Sequence, residues 1–127
     1  MKSIFRIVPI ILLALALTAC SSAKTINQDM NGSTVNIGVG ETIKVTLEGN
    51  PTTGYEWQLA SVEESILNWD GVPQYKSDSK LAGAGGEYTF VFEGKSPGTT
   101  HLELAYLRPW EEGVDPIETF TLTVVVE

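Results

Sequence analysis

Apolar residues recur at every second position through most of this chain. Ile43, Val45 and Leu47 alternate with polar neighbours, and Tyr55, Trp57 and Leu59 follow the same rule. Phe90 and Phe92 continue it, then Leu102, Leu104 and Tyr106, and finally Phe120, Leu122, Val124 and Val126. A period of two places each run on one face of an extended chain, so each predicts a half-buried β-strand. Turn-forming residues separate the runs: Gly38 and Gly40, Gly49-Asn50-Pro51, Asp70-Gly71, Gly94, and Ser96-Pro97-Gly98. Only the stretch from Val62 to Leu67 has a composition suited to a helical turn, and it is too short to alter the class. The pattern predicts an all-β domain, an immunoglobulin-like β-sandwich of about seven strands. Trp57 fits the buried tryptophan of such domains, without their usual disulfide. The last run, residues 120–126, is expected to be a covered strand rather than a bare edge.

The N-terminus follows a different logic. Lys2 and Arg6 precede a stretch, residues 7–17, that is apolar apart from Pro9 and short for a membrane span. It ends in Leu17-Thr18-Ala19-Cys20, followed by Ser21 and Ser22. This resembles a bacterial lipoprotein signal, which implies cleavage before Cys20 and acylation of that residue. Cys20 is the only cysteine, so no other thiol role competes for it and no internal disulfide can form. By the same resemblance, Ser21 in place of aspartate implies the outer membrane, and several acyl chains would anchor firmly. The expected organisation is a signal peptide over residues 1–19, an acylated Cys20 and polar tether over residues 20–33, and one domain over residues 34–127.

Charge changes the picture mainly by exclusion. The chain carries 8 basic and 16 acidic residues; without Lys2 and Arg6 the balance is 6 against 16, or −10. Such a surface repels nucleic acid and anionic lipid. The length suits a single domain whose core holds without disulfides, and a monomer is expected.

Catalytic chemistry finds little to work with. The one histidine, His101, shares strand parity with Glu103, opposite Leu102 and Leu104, and so belongs on the solvated face. A zinc site lacks its histidine and cysteine ligands. Glu111, Glu112 and Asp115 read as a solvated loop rather than a calcium cluster. Nothing singles out a pair among the sixteen acids for glycoside chemistry. The expectation is a protein with no enzymatic activity, no metal and no cofactor.

Three loops are more informative. The first, Asn50-Pro51-Thr52-Thr53-Gly54-Tyr55, is uncharged and restrained at almost every residue. Proline fixes its own φ and restricts Asn50, the threonines are β-branched, and Gly54 permits a turn into the Tyr55–Trp57 strand. The second, Gly83-Ala84-Gly85-Gly86, strips the backbone of side chains, which suits either a flexible connector or a partner that pairs with extended chain. The third is Arg108-Pro109-Trp110-Glu111, where Arg108 is the sole arginine beyond the signal and Trp110 either caps the core or faces a partner. In an immunoglobulin-type sandwich the first and third lie at one end. The second reaches the same end if residues 87–92 form the fifth strand.

Taken together and in this order, Asn50-Pro51-Thr52-Thr53-Gly54-Tyr55 with Trp57, Gly83-Ala84-Gly85-Gly86 and Arg108-Pro109-Trp110 resemble the chagasin family of cysteine peptidase inhibitors. Tyr55 stands where the best-known eukaryotic members carry phenylalanine, which keeps the aromatic ring. The resemblance covers about residues 34–127. It implies an immunoglobulin-like inhibitor of papain-like cysteine peptidases that acts by reversible, non-covalent occlusion of the cleft. It also implies that Asn50 to Tyr55 face the catalytic centre, Gly83 to Gly86 pair along one wall, and Arg108, Pro109 and Trp110 hold the other. Two other readings stand beside it. An immunoglobulin-like envelope scaffold or adhesion lipoprotein would bind something other than a peptidase. An enzyme or small-ligand protein would carry an enclosed apolar pocket.

Overall fold

The computed structural model describes residues 23–127; the expected signal peptide and Cys20 lie outside them. Among the described residues, nine strands make two sheets. They are β1 (Lys24–Ile26), β2 (Thr34–Ile37), β3 (Thr42–Gly49), β4 (Glu56–Ser61), β5 (Leu67–Trp69), β6 (Gln74–Ser77), β7 (Gly86–Gly94), β8 (Gly98–Leu107) and β9 (Glu118–Val126). One sheet runs β1-β3-β7-β5, with β6 also on β7, and the other runs β2-β9-β8-β4. The alternation explains why they face each other. Ile43, Val45 and Leu47 of β3 are buried while Lys44 and Glu48 are exposed, and Phe120, Leu122, Val124 and Val126 of β9 enter from the opposite sheet. Burying such apolar rows removes their surface from water at roughly 25 cal/mol per Å². Trp57 is only 1% exposed, its indole N–H donating to the Glu48 carbonyl at 3.0 Å across the sandwich. β9 lies between β2 and β8, so it is covered on both sides, as its composition predicts.

Two expectations need correction. The polar segment of residues 20–33 is not a tether throughout: β1 pairs in parallel with β3, Lys24 opposite Ile43 and Ile26 opposite Val45. Ile26 is 1% exposed, and the lone apolar side chain in a polar stretch is enough to seat the strand. A one-turn 3-10 segment, Gln28–Met30, then carries the chain towards β2, which pairs in parallel with β9. Second, residues 87–92 belong to the seventh strand rather than the fifth, because short β1 and β6 add to the count. The stretch suited to a helical turn does make a single turn at residues 64–66, with the Ile66 and Leu67 amides both donating to the Glu63 carbonyl, before β5 begins at Leu67.

Candidate functional site

Strand register brings the three loops to one end. Gly49, the last residue of β3, pairs with Gly86, the first of β7. Glu56, the first of β4, pairs with Leu107, the last of β8. The segments that follow Gly49, precede Gly86 and follow Leu107 therefore share an edge.

Loop one is rigid for reasons its residues supply. Asn50 is extended and caps a single 3-10 turn, Pro51–Thr53, with proline in the first turn where its missing N–H costs nothing. The Asn50 side-chain oxygen accepts from the Thr52 amide at 3.1 Å and from its hydroxyl at 2.6 Å. The Asn50 carbonyl accepts from the Thr53 amide at 3.2 Å and from its hydroxyl at 2.6 Å. Gly54 closes the turn at φ +85°, in the left-handed region, its amide donating to the Pro51 carbonyl at 3.0 Å. Pro51, Thr52 and Thr53 are exposed and uncharged.

The neighbouring loops are fastened to this turn. From the second, the Gly83 carbonyl accepts the Asn50 amide side chain at 3.0 Å. From the third, Arg108 Nε donates to the Thr53 carbonyl at 3.2 Å, and its guanidinium lies 4.4 Å from the centre of the Tyr55 ring. Glu111 sits 3.4 Å from Arg108 Nη1. The Trp110 indole rests against Gly54, so closely that a β-carbon there would overlap it, and yet Trp110 is 66% exposed. It does not cap the core. Tyr55 is half-buried beneath Arg108 and packs on the core, so it supports the edge more than it projects from it.

Gly86 departs from its expected place in an exposed loop. It is buried inside the sheet, paired with Gly49 on one side and Ser77 on the other. Any β-carbon would strike the Lys76 carbonyl. Its backbone is committed to the ladder, which leaves Gly83, Ala84 and Gly85 to present themselves. Of these, Gly83 has φ +79° with open space about it, whereas Gly85 accepts from the Asp78 amide at 3.0 Å.

Beneath the edge lies a floor of aromatic rings that includes all four tyrosines of the chain. Tyr106 stacks on Trp57 at 5.0 Å and tilts against Tyr55 at 5.5 Å, and Tyr75 meets Tyr88 at 4.9 Å. Gly49 makes room for them: a β-carbon there would stand 2.8 Å from the Tyr88 ring and 3.2 Å from that of Tyr106. Burial, and then the Glu56 carboxylate, push the Tyr88 phenol up to about 12. The Tyr106 hydroxyl accepts the Asn50 backbone amide at 2.8 Å. Sequence reading treats Tyr106 only as a core residue; its clue is an inward-facing phenol one residue pair before Arg108.

Elsewhere the chemistry is sparse. His101 is exposed on the outer face, with Nδ1 3.1 Å from the Thr123 hydroxyl. Among the described residues no three His, Cys, Asp or Glu side chains gather to hold a metal ion. A hollow of about 270 Å³ lined by Trp57, Leu59, Trp69 and Phe90 is half open rather than enclosed.

Comparison with known proteins agrees with this geometry. Residues 36–124 match the model of the chagasin family of peptidase inhibitors, I42. The chain is 37% identical to chagasin of Trypanosoma cruzi over 97 residues, covering 72% of this chain and 87% of that protein. Its fold is similar to the crystal structure of the cysteine protease inhibitor EhICP2 from Entamoeba histolytica. The TM-score is 0.73 at 26% identity, over 83% of this chain and 96% of that one. It also shares the fold of PbICP-C, solved in complex with falcipain-2, with TM-score 0.60 and 23% identity over 84% of this chain and 90% of that one. The two-sheet sandwich, the loops at its end and the family match over most of the described residues lead to one conclusion: the chain belongs to the chagasin family of peptidase inhibitors.

Proposed function

We propose that the protein inhibits papain-like cysteine peptidases by reversible, non-covalent occlusion of the active-site cleft. The observation that carries this reading is the interlock centred on Asn50, which bonds loop one to itself and to Gly83 while Arg108 holds Thr53 from the other side. The result is a preassembled wedge, which loses little entropy on docking. Pro51, Thr52 and Thr53 form its uncharged tip, able to approach a thiolate–imidazolium pair without burying an unpaired charge. Gly83, Ala84 and Gly85 would run along one wall by backbone pairing. Arg108, Pro109 and Trp110 would meet the other, with exposed Trp110 as the apolar anchor. Three such loops suit a contact of about 800 Å² on the inhibitor side. The internal hydrogen bonds of loop one also resist the backbone adjustment that peptide-bond attack requires. The relative found in complex with falcipain-2 supports a peptidase as the partner.

Residues 21–127, produced as a soluble protein, should inhibit papain with one-to-one stoichiometry. Absence of inhibition at micromolar concentrations would overturn the reading for that enzyme class. Thr53→Arg should weaken inhibition with little change in melting temperature. The reading extends to the cell envelope: Cys20 would carry the lipid and hold the inhibitor at the outer membrane, supported by the signal pattern before it. Labelled fatty acid should be incorporated into the natural protein and lost in Cys20→Ser, and absence of label from the natural protein would refute acylation at that residue.

A further inference from the structure

We propose that Tyr106 is a positioning residue for the inhibitory edge, holding Asn50 in place from within the core. This rests on the inhibitory reading above and adds to it a residue that does not touch the target. Tyr106 is 9% exposed, at the loop end of β8 beneath the turn. Its ring is gripped on two sides, by Trp57 at 5.0 Å and by Tyr55 at 5.5 Å. The phenolic oxygen therefore has a fixed location, and it accepts the Asn50 amide at 2.8 Å.

Asn50 then distributes the constraint. Its amide side chain reaches Gly83 in loop two, its side-chain oxygen holds Thr52, and its carbonyl holds Thr53. One buried hydroxyl thus fixes the residue from which two loops take their positions. Gly49 is part of the same device, because a β-carbon there would press on the Tyr106 ring at 3.2 Å. Phenylalanine would fill the same volume and keep the stacking, but it would leave the Asn50 amide without its acceptor. Released from that point, the loops populate the docking conformation less often. Apparent affinity falls in proportion to the competent fraction.

The test is Tyr106→Phe in the soluble protein of residues 21–127 used above, read by papain binding kinetics and amide hydrogen exchange. The expected result is an association rate about fivefold lower, matching the loss of one ordinary hydrogen bond, with the dissociation rate unchanged. The amides of Asn50, Thr53 and Gly54 should exchange faster, while those of Leu104 and Val124 in the core should not. A rise in dissociation rate instead would mark a contact residue and overturn the proposal. Equal acceleration of loop and core amides would reduce the hydroxyl to a general contribution to stability, and an unchanged association rate would also overturn it. If the variant fails to fold, the wild-type protein still decides: an Asn50 amide that exchanges as fast as an exposed one shows that Tyr106 does not hold it. Failure of the wild-type protein to inhibit would remove the inhibitory reading, while the Asn50 exchange still reports on the joint itself.

Discussion

Gly54→Ala places a single methyl group at the point where loop one meets loop three. Gly54 sits at φ +85°, where a β-carbon costs about 1–2 kcal/mol relative to glycine. In a domain of this size each kcal/mol lowers the melting temperature by roughly 4–8 °C, so a fall of about 5–10 °C is expected. The methyl also lands on the Trp110 indole. Because Trp110 is 66% exposed, it can swing away with little further loss of stability, but it then leaves the inhibitory edge. A tryptophan that anchors an interface is commonly worth about 2 kcal/mol or more, so the inhibition constant should rise by about thirtyfold. Inhibition constants for papain, from fluorogenic-substrate progress curves at 25 °C where every variant is folded, would be set beside calorimetric melting temperatures. Trp110→Ala alone should weaken inhibition by a similar factor. The double variant should be little worse than either, since both remove the same indole from the same seat. Fully additive losses would show that the indole does not depend on Gly54. An unchanged melting temperature would show that Gly54 is not left-handed in solution.

Other expectations follow from the same structure. Arg108→Lys keeps the charge but loses the planar group that bonds Thr53 and covers Tyr55, so inhibition should weaken by about five- to tenfold with a melting shift of only a few degrees; equal inhibition would reduce Arg108 to its charge. Ile26→Ala should destabilise the domain by about 2–4 kcal/mol in urea titration, and a negligible change would return β1 to the status of tether. The raised Tyr88 phenol favours the folded state while it is protonated. Above pH 10 the unfolded chain ionises this group first, so stability should fall as pH climbs from 10 towards about 12. Tyr88→Phe should flatten that part of a melting-temperature profile, and an unaltered slope would exclude Tyr88 as its source.

The strands that build the core were legible because a period of two survives any detail of tertiary structure. Trp57 could be placed inside for that reason, as could the covered position of residues 120–126. The special loops were legible because proline, glycine and β-branched residues carry their backbone preferences with them. Pairing was harder to see. β1 contributes one buried side chain, Ile26, and no alternation, so a polar stretch hid a strand whose existence depends on β3 beside it. β6 is exposed throughout and owes its form to β7. Gly86 looked like its neighbours Gly83 and Gly85, and only the register with Gly49 and Ser77 separates it from them. Nor does a sequence reveal which hydroxyl faces which amide, and so the bond between Tyr106 and Asn50 required the folded chain.

The parallel pairing of β1 with β3 gives the molecule two poles. Lys24 lies beside Ile43, near the start of β3, and the strand then advances six residues to Gly49 at the loops. At about 3.3 Å per residue, the chain enters the domain roughly 20 Å from its inhibitory edge. Under the acylation of Cys20 proposed above, the attachment point lies four residues before Lys24 in the sequence, and Lys24 begins β1 at the end of the domain away from the loops. The bilayer would lie behind the domain and the wedge would point outward into the aqueous compartment. A short leash would then guard without obstructing: peptidases arriving from solution would meet the loops first, and the membrane would never stand between them.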